Sequence, residues 1–157
     1  YETFTHQKKN IIILDRINDP INIGLIIRNA LAFGISGIII DRKDFNSASQ
    51  VMIKKSSGAI EFIDICLVSN ISNTIQDLKK KNFWVYGLDS ENGENIYNEK
   101  WSEKNVFIFG SEGQGLRELT KKKCDKLISI PMSKNIDSLN VASCVAATLA
   151  LFNKQTC

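Results

Sequence analysis

Histidine is nearly missing from this chain, with His6 the single one, and the four cysteines Cys66, Cys124, Cys144 and Cys157 form no CxxC pair. No zinc cluster and no other bound metal are therefore expected. Thiols scattered in this way read as reduced and packed, not as disulfides or nucleophiles. Two prolines and nine glycines exclude proline-rich or collagen-like material. No apolar run comes near the roughly 18 residues needed to cross a bilayer, and residues 1–10 hold no stretch resembling a secretory signal. No membrane partner and a cytoplasmic location are the resulting expectations. A net charge of only +3 excludes a histone-like partner of DNA, although the lysines cluster at Lys8-Lys9, Lys54-Lys55, Lys79 to Lys81 and Lys121 to Lys123. Such patches are either solvated surface or local contacts to nucleic acid.

What is present is an ordinary globular composition. Hydrophobic residues make up 43% and charged residues 24% of 157 positions, enough for one core that buries roughly 68–70% of the unfolded surface. Residues 1–157 are read as one domain. The chain starts at Tyr1 and not at Met, so an upstream segment is expected. Short β-branched runs recur at 11–14, 37–40, 60–67, 83–88, 106–109 and 127–130. They are continuous and not alternating, the habit of parallel strands covered on both faces. Helical spacing lies between them at 22–33, 47–57, 72–81, 116–123 and 141–153, with Asn22 available to cap the first of these and Gly34 to stop it. The expected fold is an open, mostly parallel α/β sheet flanked by helices, with ligands beyond the carboxyl ends of the strands. Residues 89–102 are polar and long enough to form a mobile loop.

Three loops carry more polarity than packing requires. The first runs from Asp15 through Asp19-Pro20-Ile21-Asn22-Ile23-Gly24 to Arg28. Arg28 follows Asn22 by six residues, about 240 degrees around a helix, so the two do not share a face. Plain readings exist for both, a helix cap for Asn22 and a surface ion pair for Arg28. The second, Gly110-Ser111-Glu112-Gly113-Gln114-Gly115, is a ligand loop or an elaborate turn, and its spacing matches neither GxGxxG nor GxxxxGK[ST]. The third, from Pro131 to Ala142, offers both Ser138 and Asn140 as caps where one would suffice. Small residues on the helix that follows suit either tight packing or contact with a second copy.

In order, these segments resemble the motifs of the SpoU/TrmH family of RNA ribose 2'-O-methyltransferases, of the SPOUT superfamily. The first motif is Asp19-Pro20-x-Asn22-x-Gly24-x-x-x-Arg28-x-Ala30 and the second Phe109-Gly110-x-Glu112-Gly113-x-Gly115-Leu116. The third is Ile130-Pro131-Met132 followed by Ser138-Leu139-Asn140-Val141. The resemblance implies a carboxyl-terminal deep trefoil knot, a rare exception to the rule against threading. It also implies S-adenosyl-L-methionine bound near Leu88, Gly110, Ile130, Met132 and Leu139, and a homodimer with composite sites. Many relatives carry an upstream RNA-binding domain. The motifs are most similar to the branch acting on a guanosine of 23S rRNA, with tRNA guanosine as the alternative and a non-catalytic knotted RNA-binding protein as a third.

The chemistry so implied is in-line attack of a ribose 2'-hydroxyl on a sulfonium methyl, which needs alignment and no metal. The residues assigned to catalysis are Arg28, Asn22, Glu112, Ser138 and Asn140. An ordinary guanidinium keeps its proton at neutral pH, so two versions of Arg28 stand open. It is a base, or a cation that positions phosphate and stabilises developing alkoxide charge. Asn22, Ser138 and Asn140 would orient the ribose and Arg28 by neutral hydrogen bonds, with Glu112 holding a donor or offsetting positive charge.

Overall fold

In a computed structural model, residues 1–6 and 9–156 are described, the last three of them by backbone alone. Lys8 and Cys157 lie outside the described residues. Seven strands, β1 (Asn10–Asp15), β2 (Gly37–Asp41), β3 (Asp64–Val68), β4 (Trp84–Leu88), β5 (Glu94–Asn95), β6 (Asn105–Gly110) and β7 (Lys126–Ser129), form one sheet in the order β3-β2-β1-β6-β4-β7-β5. Every pairing is parallel. The helices are α1 (Glu2–His6), α2 (Pro20–Ala32), α3 (Gln50–Ser56), α4 (Ile71–Lys80), α5 (Glu118–Lys123) and α6 (Val141–Thr156).

The continuous apolar runs have the expected cause. Within β1, Ile12 and Leu14 join a core with α2, α3 and α6, while Ile11 and Ile13 join a second core with α4 on the opposite face. Register extends this division across the sheet, because Ile12 sits beside Ile38 and Phe107, and Ile13 beside Ile39 and Ile108. Since side chains alternate along a strand, both sets must be apolar when both faces are covered.

Three local expectations are corrected. Asp19, not Asn22, caps α2: its side chain accepts from the Ile21 N–H, and Pro20 opens the helix. Proline suits that position because its missing N–H would have no helical partner. Gly34, at φ 75, still ends the helix. The run 60–67 divides into a 3-10 turn, Ala59–Glu61, and β3. The polar segment 89–102 is not a free loop, because it contributes β5 and two apolar anchors. Ile96 is fully buried, and the Trp101 ring packs edge-on against Tyr86 and Phe152 at centroid distances of 5.1 and 5.4 Å.

Topology decides where a ligand can sit. From β1 the chain winds outward through β2 and β3, then crosses to lay β4 beyond the later β6, and β7 enters between β4 and β5. Winding reverses between β1 and β6, and a cavity lies on one side of that point, at the carboxyl ends of β6, β4 and β7.

Candidate active site

Leu88 ends β4, Gly110 ends β6 and Ile130 follows β7, which places all three on one rim. They line a single cavity of about 510 Å³, together with Met132, Leu139, Glu112 and Ser138. That volume lies within the range of small-molecule sites. Its floor is the glycine loop, whose shape follows from backbone crowding. Gly115 donates to the Ser111 carbonyl at 2.8 Å, folding the loop onto Gly110, where an added Cβ would meet the Gly115 carbonyl carbon at 2.2 Å. Gly113 and Gly115 take φ values of 80 and 64, a region that other residues seldom occupy.

Three polar residues from separate motifs meet at the edge of this cavity. The Asn140 side-chain amide donates to Asn22 Oδ1 at 3.1 Å and to Glu112 Oε1 at 2.7 Å. Its own Oδ1 accepts from the Ala142 and Ser143 N–H groups, so Asn140 caps α6 while tying two loops together. Glu112 Oε1 also accepts from the Val141 N–H at 3.1 Å, which places a carboxylate at the positive end of α6. With Asp19 acting as cap for α2, the Asn22 side chain is left for this contact.

Arg28 is apart from that cluster. It is exposed and does not line the cavity, and its Nη1 donates to Ser57 Oγ at 3.2 Å. The 240 degrees separating Asn22 from Arg28 on α2 are expressed as different partners, α6 for one and the turn after α3 for the other.

Sequence reasoning missed the residues that hold the glycine loop from behind. Fully buried Asp15, paired in register with Gly110, accepts from the Arg117 N–H at 3.0 Å and ion-pairs with Arg117 Nε at 2.8 Å. Arg16, at φ 60, donates to Gln114 Oε1 at 2.9 Å and to the Gly115 carbonyl at 3.1 Å. The one available signal was a carboxylate closing an otherwise apolar strand. On the far wall Asp89 meets Lys121 Nζ at 3.0 Å. Burial pushes the Asp89 carboxyl upward, but Lys121 and the N–H groups of Asn92 and Glu91 outweigh it and hold it below its ordinary value. The ammonium of Lys121 is raised, chiefly by its hydrogen bond to Asp89.

Lysines of two clusters serve structure. Lys79 pairs with Asp125 at 2.7 Å, Lys81 pairs with Glu2, and Lys123 donates to the Ser72 carbonyl. Cys66, Cys124 and Cys144 are free thiols, each pushed up by burial, Cys124 to about 12. Among the described residues no group of three or more His, Cys, Asp or Glu is placed to hold a metal ion, and no helix is long and apolar enough to cross a membrane.

The model of the SpoU rRNA Methylase family matches residues 9–151, which include the glycine loop, the Asn22–Asn140–Glu112 cluster and Arg28. The chain belongs to that family. It is 37% identical to a protein of Staphylococcus saprophyticus assigned to the TrmH family of tRNA/rRNA methyltransferases, over 97% of this chain and 63% of that protein. Among solved structures, the AdoMet-bound rRNA methyltransferase of Sinorhizobium meliloti superposes with a TM-score of 0.88 at 26% identity, covering 96% of this chain and 58% of that one. The SpoU methyltransferase AviRb of Streptomyces viridochromogenes, solved with AdoMet, gives 0.87 at 23% identity over 96% of this chain and 59% of its own, a likeness of fold. This SpoU-family chain thus spans less than two thirds of the length of each of these three relatives.

Proposed function

We propose that the chain transfers the methyl group of S-adenosyl-L-methionine to a ribose 2'-hydroxyl in RNA, with a guanosine of 23S rRNA as the target. The observation that carries this reading is the hydrogen-bonded meeting of Asn22, Asn140 and Glu112 on the rim of the glycine-loop cavity. The cavity suits the methyl donor chemically. Leu88, Ile130 and Leu139 offer apolar surface to a flat base, and the loop at 110–115 presents backbone groups to polar edges. When bound there, the donor supplies an electrophilic methyl on sulfur.

The chain's own residues then have to align and orient. Holding a hydroxyl in line with the methyl can supply about 7–11 kcal/mol of the barrier. Glu112 Oε1 already accepts two hydrogen bonds, a use that suits an orienting carboxylate better than a base. Ser138 lines the cavity, and the proposal gives it a ribose oxygen to bind. Arg28 acts as a cation on the RNA phosphate and the developing alkoxide, and because it lies outside the cavity of its own chain, the proposal assigns it to the cavity of a second copy. Exposed Ile21 and half-buried Leu25 continue the Arg28 stripe along α2, an apolar surface for that contact. β7 enters between β4 and β5, and the proposal has the carboxyl-terminal segment thread as a knot beyond that strand.

The deciding experiment gives the full-length protein labelled S-adenosyl-L-methionine and total cellular RNA, then maps the modified nucleotide. A 2'-O-methylguanosine in 23S rRNA is the expected product. Label in tRNA would move the target to the alternative RNA, and a folded protein that binds RNA but no donor would leave only a binding role.

A further inference from the structure

We infer that Ser57 is a positioning residue for Arg28, an inference that rests on the role proposed above for that guanidinium. The contact is the hydrogen bond from Arg28 Nη1 to Ser57 Oγ at 3.2 Å, between residues 29 apart in sequence. Ser57 has φ 49 and ψ 43, the left-handed conformation that a residue with a Cβ adopts only at a cost, and Gly58 follows at φ 82. The turn closes α3, since the Ser57 N–H donates to the Lys54 carbonyl. For that backbone task alone glycine would serve better. A serine here accepts strain and places its hydroxyl on the arginine.

Gly24 explains how the hydroxyl arrives there. Gly24 and Arg28 are four residues apart and lie on one face of α2. A Cβ on Gly24 would come within 2.6 Å of the Met52 carbonyl oxygen, 2.7 Å of Lys55 Cβ and 3.2 Å of the Ser56 nitrogen. The missing side chain lets the last turn of α3 press against α2. One helical turn further along α2, the next residue of the chain, Ser57, reaches the guanidinium. The Gly-x-x-x-Arg spacing of the first motif is therefore a device for docking α3.

The choice of a neutral acceptor also matters. A guanidinium has five donors, and a hydroxyl engages one without cancelling the charge, leaving the others for a phosphate or an alkoxide. A carboxylate in that place would orient Arg28 but neutralise it. Lys54 and Lys55, exposed in the last turn of α3, keep the neighbourhood positive.

The test compares Ser57→Gly and Ser57→Asn with the parent protein. Glycine fits the backbone and removes the hydroxyl, while asparagine tolerates the left-handed region and restores an acceptor. With enzyme in excess over total RNA from cells lacking it and saturating labelled donor, Ser57→Gly should lose roughly tenfold in single-turnover rate. Donor affinity by calorimetry should be unchanged, the melting temperature unchanged or raised, and Ser57→Asn should recover most of the rate. An independent readout is the NMR order of the Arg28 Nε–H group, assigned by its loss in Arg28→Lys, which should fall in Ser57→Gly and return in Ser57→Asn. A parental rate and unchanged Arg28 order in Ser57→Gly, with turnover lost in Arg28→Lys, would overturn the role of Ser57 and leave that of Arg28 standing. Near-parental turnover in Arg28→Lys would overturn both.

Discussion

Replacing Gly110 by alanine tests whether the folded-back glycine loop forms the donor site. The new Cβ would lie 2.2 Å from the Gly115 carbonyl carbon and 2.4 Å from both the Gly115 oxygen and the Leu116 nitrogen, more than an ångström inside ordinary contact. All three atoms are backbone, so no rotamer change can relieve the clash and the loop itself must move. Overpacking of this kind costs about 1–3 kcal/mol, which in a domain of this size lowers the melting temperature by about 2–12 °C. The same displacement misaligns the backbone groups facing the cavity, and losing one or two of their hydrogen bonds should weaken S-adenosyl-L-methionine binding by roughly tenfold or more. Calorimetry and thermal unfolding measure the two effects separately. Gly34→Ala is the control, because its φ of 75 makes alanine strained while nothing lies within 4 Å of the new Cβ. It should lose about 1–2 kcal/mol of stability and keep donor affinity. If Gly110→Ala binds the donor like the parent protein, the loop does not shape the site and the cavity assignment is wrong.

Asn140→Ala removes the cap of α6 and the link between Asn22 and Glu112. It should cost about 1 kcal/mol of stability in denaturant unfolding, with a larger loss of methyl transfer, and an active variant would remove the cluster from the mechanism. Asp89 is held below its ordinary value, so its share of stability is present at neutral pH and lost as pH falls through the lowered value. Asp89→Asn should therefore flatten the acid side of a melting-temperature profile, and an unchanged profile would refute the pairing with Lys121. Cys124, with its thiol at about 12, should resist alkylation by iodoacetamide at pH 8 in the folded protein. Rapid labelling of that site in a mass-spectrometric time course would contradict the upward shift of its thiol.

Legibility differed from residue to residue. Strand runs could be read because a sheet covered on both faces needs apolar side chains on both, and the strands follow those runs apart from short β5 and from β3, which takes only the second half of the run 60–67. The surplus of caps at Ser138 and Asn140 also carried its signal, since Asn140 caps α6 and still reaches Asn22 and Glu112. Asn22 as a helix cap was a misreading, because the preceding Asp19-Pro20 pair competes better for that place. The segment after β4 hid Ile96 and Trp101 among polar neighbours. Ser57, Arg16 and the pairing of Asp15 with Arg117 left almost no trace, because each depends on a distant backbone arriving at one spot.

Composition, periodicity and motif order by themselves determined the α/β class, the alternation of strand and helix, and which polar loops stand out from the packed core. Those properties are local, since burial on two faces and the demands of tight turns act on consecutive residues. Tertiary structure alone decided that Asn22 faces α6 while Arg28 faces Ser57, and that Asp15 and Arg16 brace a loop about a hundred residues away. Such contacts depend on the order of strands in the sheet and on which distant segment arrives against α2, and neither can be read from one segment of the chain alone.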